Sequence, residues 1–118
     1  MPARLRPAAR EDVAAARTRV AAGTAAKADL KLLTKHYLAL MEAKAPGRAV
    51  EIRVPPFAAI QCIEGVRHTR GTPPAVIETD AATWIALATG ELTWPEALAA
   101  ARISASGERT DLTPYLPL

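Results

Sequence analysis

Apolar residues recur with a helical period in the first part of the chain and with a strand period from residue 50 onward. The alanine-rich run from Arg10 to Ala22 is helix-prone, and Gly23 interrupts it. The next segment, residues 28–44, predicts an amphipathic helix. Its apolar stripe consists of Leu30, Leu33, Tyr37, Leu40 and Met41.

Two short apolar runs follow. Residues 50–54 alternate apolar and charged side chains, which predicts a strand with one buried face. Pro55 and Pro56 end this strand because proline has no amide hydrogen to donate. Residues 57–63 predict a second strand, and since they are apolar on both faces, we expect this strand to be central in the sheet.

The second half predicts a strand–helix–helix–strand unit between residues 75 and 107. Asp80 is suited to cap the first helix, and Gly90 is suited to end it. Thr93 and Glu96 have the spacing of a capping box for the second helix. The proline-containing tail after residue 110 predicts at most a short helical turn. Its apolar side chains should dock on the rest of the protein: Leu112, Tyr115, Leu116 and Leu118.

The two tryptophans and one histidine are judged from their helix positions. Trp84 shares a face with Leu87 and Ala88, so we expect it to pack on the sheet. Trp94 begins its helix, and we expect it to be only partly covered. His36 lies off the apolar stripe, which predicts a surface histidine.

The length of the chain and its cysteine content limit the number of domains and the kind of protein that it can be. A chain of 118 residues predicts a single domain, with residues 1–27 as a helical N-terminal extension. The lone Cys62 excludes an intrachain disulfide, and its apolar strand predicts an inert thiol. We therefore expect a cytoplasmic protein. No apolar run approaches the length of a membrane span, and charged residues interrupt the first 20 residues, unlike a signal peptide.

The net charge of +3 is unevenly distributed. Residues 1–48 contain ten Lys/Arg and four Asp/Glu, whereas residues 49–118 contain five and eight. Such a basic half could meet an anionic membrane surface, an acidic partner or nucleic acid, or it could be a solvated helix surface. Aromatic interleaving and a recognition helix are both missing from the sequence, so we expect no nucleic-acid partner. With a membrane surface we expect at most transient contact.

Candidate chemistry is sparse. Metal-ligand spacings, a glycine-rich phosphate loop and a nucleophile–base pair are absent from the sequence, so we expect no catalytic residue, metal or cofactor. One polar cluster remains, with Arg67, His68 and Arg70 on a loop rich in Gly and Pro. Its guanidinium groups could hold a carboxylate or phosphate, or one arginine could pair with Glu64 or Glu78.

The order of elements resembles the sterol carrier protein family, in particular its small free-standing bacterial members. The runs that carry the resemblance are Val76–Asp80, Trp84–Gly90, Pro95–Leu98, Ile103–Gly107, Val54–Phe57 and His68–Pro74. The resemblance implies an α/β (α+β) fold in which helices pack on one face of a mixed, mostly antiparallel sheet of four to five strands. It also implies an apolar tunnel between the two layers.

Family members bind fatty acids, acyl-CoA esters or sterol-like molecules without catalysis, so the resemblance implies a lipid- or acyl-binding protein. The expected pocket is lined by Leu33, Tyr37, Leu40, Ile52, Ile60, Ile63, Trp84 and Leu87. Arg67, His68 or Arg70 would hold an anionic head group. The alternative is an interaction or homodimerisation module with this fold and a filled pocket. An enzyme that uses the arginine loop is a third hypothesis.

Overall fold

The computed structural model of the protein describes residues 4–65, 75–107 and 111–118. Its helices are α1 (Arg10–Ala21), α2 (Lys27–Lys44), α3 (Ala81–Thr89) and α4 (Trp94–Ala99). Its strands are β1 (Val50–Val54), β2 (Ala58–Cys62), β3 (Ala75–Thr79) and β4 (Ile103–Ser106), and a short 3₁₀ turn follows at Thr113–Tyr115. These elements confirm the helices and strands expected from the sequence, including the short turn in the tail.

The four strands form one mixed sheet in the order β2-β1-β3-β4. β1 pairs antiparallel with β2 and parallel with β3, and β3 pairs antiparallel with β4. The expectation that the second strand is central is wrong, because β2 lies at an edge of the sheet. Its outward residues Ala59 and Gln61 are exposed, and small or polar side chains tolerate that position.

Burial alternates along the strands, so one face of the sheet is covered and the other is open. The inward residues Val50, Ile52 and Val54 of β1 are fully buried, and Ile77 of β3 is 1% exposed. The outward Arg53 is exposed. The inward side chains join one apolar core with residues from all four helices. This confirms an α+β fold with helices on one face of a mixed, mostly antiparallel sheet.

The ends of α3 and α4 follow the local signals in the sequence. Asp80 Oδ1 accepts a hydrogen bond from the Thr83 amide at 2.7 Å, and Gly90 ends α3 with a φ of 84°. For α4, the Thr93 amide donates to Glu96 Oε1 at 2.9 Å. The Glu96 amide donates to Thr93 Oγ1 at 3.3 Å, which completes the capping box. The bond from the Thr93 amide, with a smaller contribution from the Thr93 side chain, lowers the pKa of the Glu96 carboxyl. These caps fix the corner between the two helices.

The first helix packs along α2. Arg19 donates to both carboxylate oxygens of Asp29, at 2.8 and 2.9 Å, and Asp29 also accepts from the Ala26 amide. The Ala8 amide donates to Nδ1 of His36 at 3.0 Å. The expectation that His36 is a surface histidine is therefore only half right. Its ring is partly buried because residues that precede α1 return to cover it.

Candidate functional site

An apolar cavity of about 220 Å³ lies where the α3–α4 corner meets the C-terminal residues 111–118, which we call the tail segment. It is more enclosed than the other two concave sites described below, and its lining is mostly apolar, as a binding site for an apolar molecule requires. The cavity is lined by Leu87, Gly90, Leu92, Thr93, Trp94, Pro95, Thr113, Leu116 and Pro117.

The inner wall of this cavity comes from α3 and the start of α4. Leu87 lies in the last turn of α3 and is 1% exposed. The Leu92 amide donates to the Ala86 carbonyl at 3.2 Å, which folds the connecting loop back against α3. Trp94 is 5% exposed, so the expectation that it is only partly covered is wrong. Its burial depends on residues about 20 positions away in the sequence, because the tail segment packs beside it.

The outer wall is the tail segment itself. Leu112 is fully buried and anchors the segment in the core. Beyond it, the amide of Leu118 donates to the Ala88 carbonyl at 2.8 Å. Nζ of Lys44 donates to the carbonyl of Tyr115 at 2.8 Å and to that of Pro117 at 3.4 Å. The segment thus crosses the cavity between the C-terminal ends of α2 and α3.

A polar groove of about 330 Å³ lies at the β3–α3 junction. Its side chains are engaged in holding the fold. Arg102 Nε donates to Thr83 Oγ1 at 3.1 Å, and Thr79 Oγ1 donates to the Arg102 carbonyl at 2.8 Å. Asp80 is the cap of α3. Because these groups already have partners, we regard the groove as a structural junction.

A third, open concavity of about 310 Å³ follows the β1–β2 turn and is lined by Arg53, Pro55, Pro56, Phe57, Ala58 and Ala59.

The residues predicted to line a helix–sheet pocket belong to the shared apolar core. Leu33 and Ile52 are fully buried, and Leu40 is partly buried against the core. The others, Tyr37, Ile60, Ile63, Trp84 and Leu87, are 1–7% exposed. Of the eight, Leu87 lines the apolar cavity.

The predicted head-group residues Arg67, His68 and Arg70 lie outside the described residues. Their role in anion binding stays a prediction.

The thiol of Cys62 and the imidazole of His36 lie outside the lining of the apolar cavity. Burial, aided by Glu42, raises the pKa of the Cys62 thiol to about 12, so the thiolate that would react is scarce at neutral pH. Burial also lowers the pKa of His36.

Within residues 4–65, 75–107 and 111–118, no group of three or more His, Cys, Asp or Glu side chains is placed to hold a metal ion. In the same ranges, no helix is both long and apolar enough to cross a membrane.

Sequence reasoning missed most of the cavity. It identified Leu116 only as an apolar residue that needs a docking surface, and it treated Trp94 as a helix-start residue. The signal was present in the tail, where four large apolar residues stand among two prolines. What the sequence lacked was the point on the fold to which the tail returns.

The four helices and the four-stranded mixed sheet form a small α+β fold consistent with the sterol-carrier type. A family model described as "Bacterial SCP ortholog" matches residues 26–118, more than three quarters of the chain. The chain belongs to this family of bacterial SCP orthologs. The match begins at the residue that precedes α2, so α1 lies outside it. A search of curated proteins gave no match.

Proposed function

We propose that this protein binds an apolar, acyl-type small molecule without covalent chemistry. The single observation that carries this proposal is the apolar cavity between the α3–α4 corner and the tail segment. Family membership supports the same conclusion, since the resemblance to sterol carrier proteins implies a lipid- or acyl-binding role. A cytoplasmic location belongs to the proposal as well and rests on the sequence.

The volume of the cavity limits the part of the ligand that it holds. About 220 Å³ accommodates roughly seven methylene-sized groups, if each takes ~30 Å³ as a water does. Burial of each methylene contributes about 0.8 kcal/mol before the costs of association. We therefore expect affinity to rise with chain length up to about eight carbons.

Longer chains require more room than the cavity offers. The inner wall at Leu87 is continuous with the core residues that the sequence predicted as a pocket. We propose that a longer chain extends past Leu87 toward Trp84, one turn earlier on α3, if these side chains move apart. The predicted pocket and the cavity would then be two parts of one site.

Octanol provides a neutral test ligand that suits the cavity. Titration followed by ¹⁵N and methyl NMR should shift the indole N–H of Trp94 and the methyl groups of Leu87. Leu116→Trp places a large ring in the cavity and should abolish these shifts. Leu98→Trp is the matched control, because Leu98 is an exposed apolar residue, 46% exposed, on α4. Equal responses of the two variants would place the ligand elsewhere and contradict the proposal.

A second candidate function is a homodimerisation or protein-interaction module. The tight packing between helices and sheet favours it, since Leu33, Leu38, Met41 and Ile52 are all 0% exposed. Light scattering after size-exclusion chromatography distinguishes the two functions. A dimer whose mass is unaffected by octanol, with no NMR response at Trp94, would favour the interaction module.

A further inference from the structure

Lys44 occupies a position that the binding of a neutral molecule does not explain. It is the last residue of α2, and its ammonium group donates to the carbonyls of Tyr115 and Pro117. These two residues flank Leu116, which lines the apolar cavity together with Pro117. A solvent-exposed cation is therefore bonded to the main chain of the cavity's outer wall.

We propose that Lys44 is the head-group site of this cavity, and that it binds the carboxylate of an acyl ligand whose chain lies between Leu87 and Leu116. This inference rests on the proposed function and adds the ligand's charge and the residue that recognises it. No covalent bond forms or breaks in this binding step.

The chemistry of the ammonium group favours an exchange of partners. Lys44 has three N–H donors and at present bonds two neutral carbonyl oxygens, one of them at the long distance of 3.4 Å. A carboxylate is a stronger acceptor than a carbonyl because its hydrogen bonds are charge-assisted. When a carboxylate arrives at the rim of the cavity, Lys44 turns from the tail carbonyls to the ligand.

This exchange loosens the outer wall on one side. With Lys44 engaged by the ligand, the tail segment keeps the buried anchor Leu112 and the bond from the Leu118 amide to the Ala88 carbonyl. The intervening residues Tyr115, Leu116 and Pro117 are then free to move outward. Recognition of the carboxylate thereby makes room for a chain that is longer than the closed cavity.

The test compares octanoate with octanol, which share a chain and differ in charge. Calorimetry or NMR titration should show that the wild-type protein binds octanoate about fivefold more tightly, the upper range for an exposed ion pair. Lys44→Met should bind the two equally, and 1 M NaCl should reduce the preference in the wild type. Lys31→Met is the control, since Lys31 is exposed on the same helix, about three and a half turns away, and should keep the preference.

Amide hydrogen exchange of residues 111–118 tests the release of the tail. Octanoate should speed exchange there in the wild type, and Lys44→Met should exchange fast without any ligand. Octanoate that slows exchange would overturn the partner exchange. Equal binding of octanoate and octanol by the wild type would overturn the head-group role and leave the proposed function intact. Binding of neither ligand would refute the proposed function itself.

Discussion

The indole N–H of Trp84 donates a hydrogen bond to the main-chain carbonyl of Thr34 at 3.3 Å. Trp84 is on α3 and Thr34 is on α2, 50 residues earlier. Both side chains are buried, at 1% and 0% exposure. This contact joins the two helices that cover the sheet, and it lies one turn of α3 from the cavity wall at Leu87.

Trp84→Phe should therefore lower the free energy of unfolding by about 2 kcal/mol, because it removes a buried hydrogen bond and leaves part of the ring's volume empty. Trp94→Phe should cost about half as much, since Trp94 already borders a cavity. Urea unfolding monitored by circular dichroism measures both variants. Equal losses would show that Trp84 has no special role between α2 and α3.

Thr34 carries a second, opposite prediction. Its hydroxyl is buried and has no hydrogen-bond partner among the residues that the structure describes. Thr34→Val removes this unpaired polar group at nearly constant shape, so it should leave stability unchanged or raise it by about 1 kcal/mol. Thr83→Val is the matched variant and should cost about 1 kcal/mol, because Thr83 Oγ1 accepts from Arg102. The unfolding midpoints in urea give both values, and a destabilised Thr34→Val protein would mean that the hydroxyl is paired.

Gly47 is required by a close approach of two main-chain segments. Its φ is 152°, and a Cβ at this position would collide with the main chain of Ile63 and Glu64. Gly47→Ala should cost about 3 kcal/mol or more, because main-chain atoms cannot yield as a side chain does. Gly23 also has a positive φ, 74°, but a Cβ there meets no atom within 4 Å. Gly23→Ala should cost only about 1 kcal/mol, and thermal unfolding of the two variants tests the difference.

The contact between Ala8 and His36 should depend on pH. Nδ1 of His36 accepts the Ala8 amide only while that nitrogen is unprotonated. Burial lowers the pKa of folded His36 below the unfolded value of about 6.5. The unfolded state then binds the proton first, so stability falls as pH drops below about 6.5 and levels off below the folded pKa.

NMR can follow this transition directly. Exchange of the Ala8 amide should accelerate in step with protonation of the His36 ring, while α1 stays attached through Arg19 and Asp29. In His36→Phe the exchange rate should lack this step, after correction for its intrinsic pH dependence. A step of equal size in His36→Phe would assign the effect to another group.

The sequence predicted those parts of the fold that depend on neighbouring residues. Asp80 begins α3 and Gly90 ends it, and the capping box of Thr93 and Glu96 begins α4. These signals could be predicted because caps act over three or four positions. The alternation of Val50, Ile52 and Val54 likewise gave the buried face of β1.

Features that depend on long-range pairing were not predictable in this way. The place of β2 at the sheet edge is set by the parallel pairing of β1 with β3, which local patterns do not encode. The burial of Trp94 and the cavity beside it depend on where Leu116 and Pro117 return. The sequence showed that the tail must dock, and only the fold shows that it docks across the ends of α2 and α3.

The bond between Leu118 and Ala88 also bears on how recombinant versions of this protein are made. An affinity tag fused after Leu118 would begin within a few ångströms of α3 and pull on the residues that close the cavity. The same tag joined before Met1 would leave the bond between Ala8 and His36 in place and would precede α1, whose residues do not line the cavity. Ligand assays are therefore best run on amino-terminally tagged material, or after cleavage of a carboxy-terminal tag.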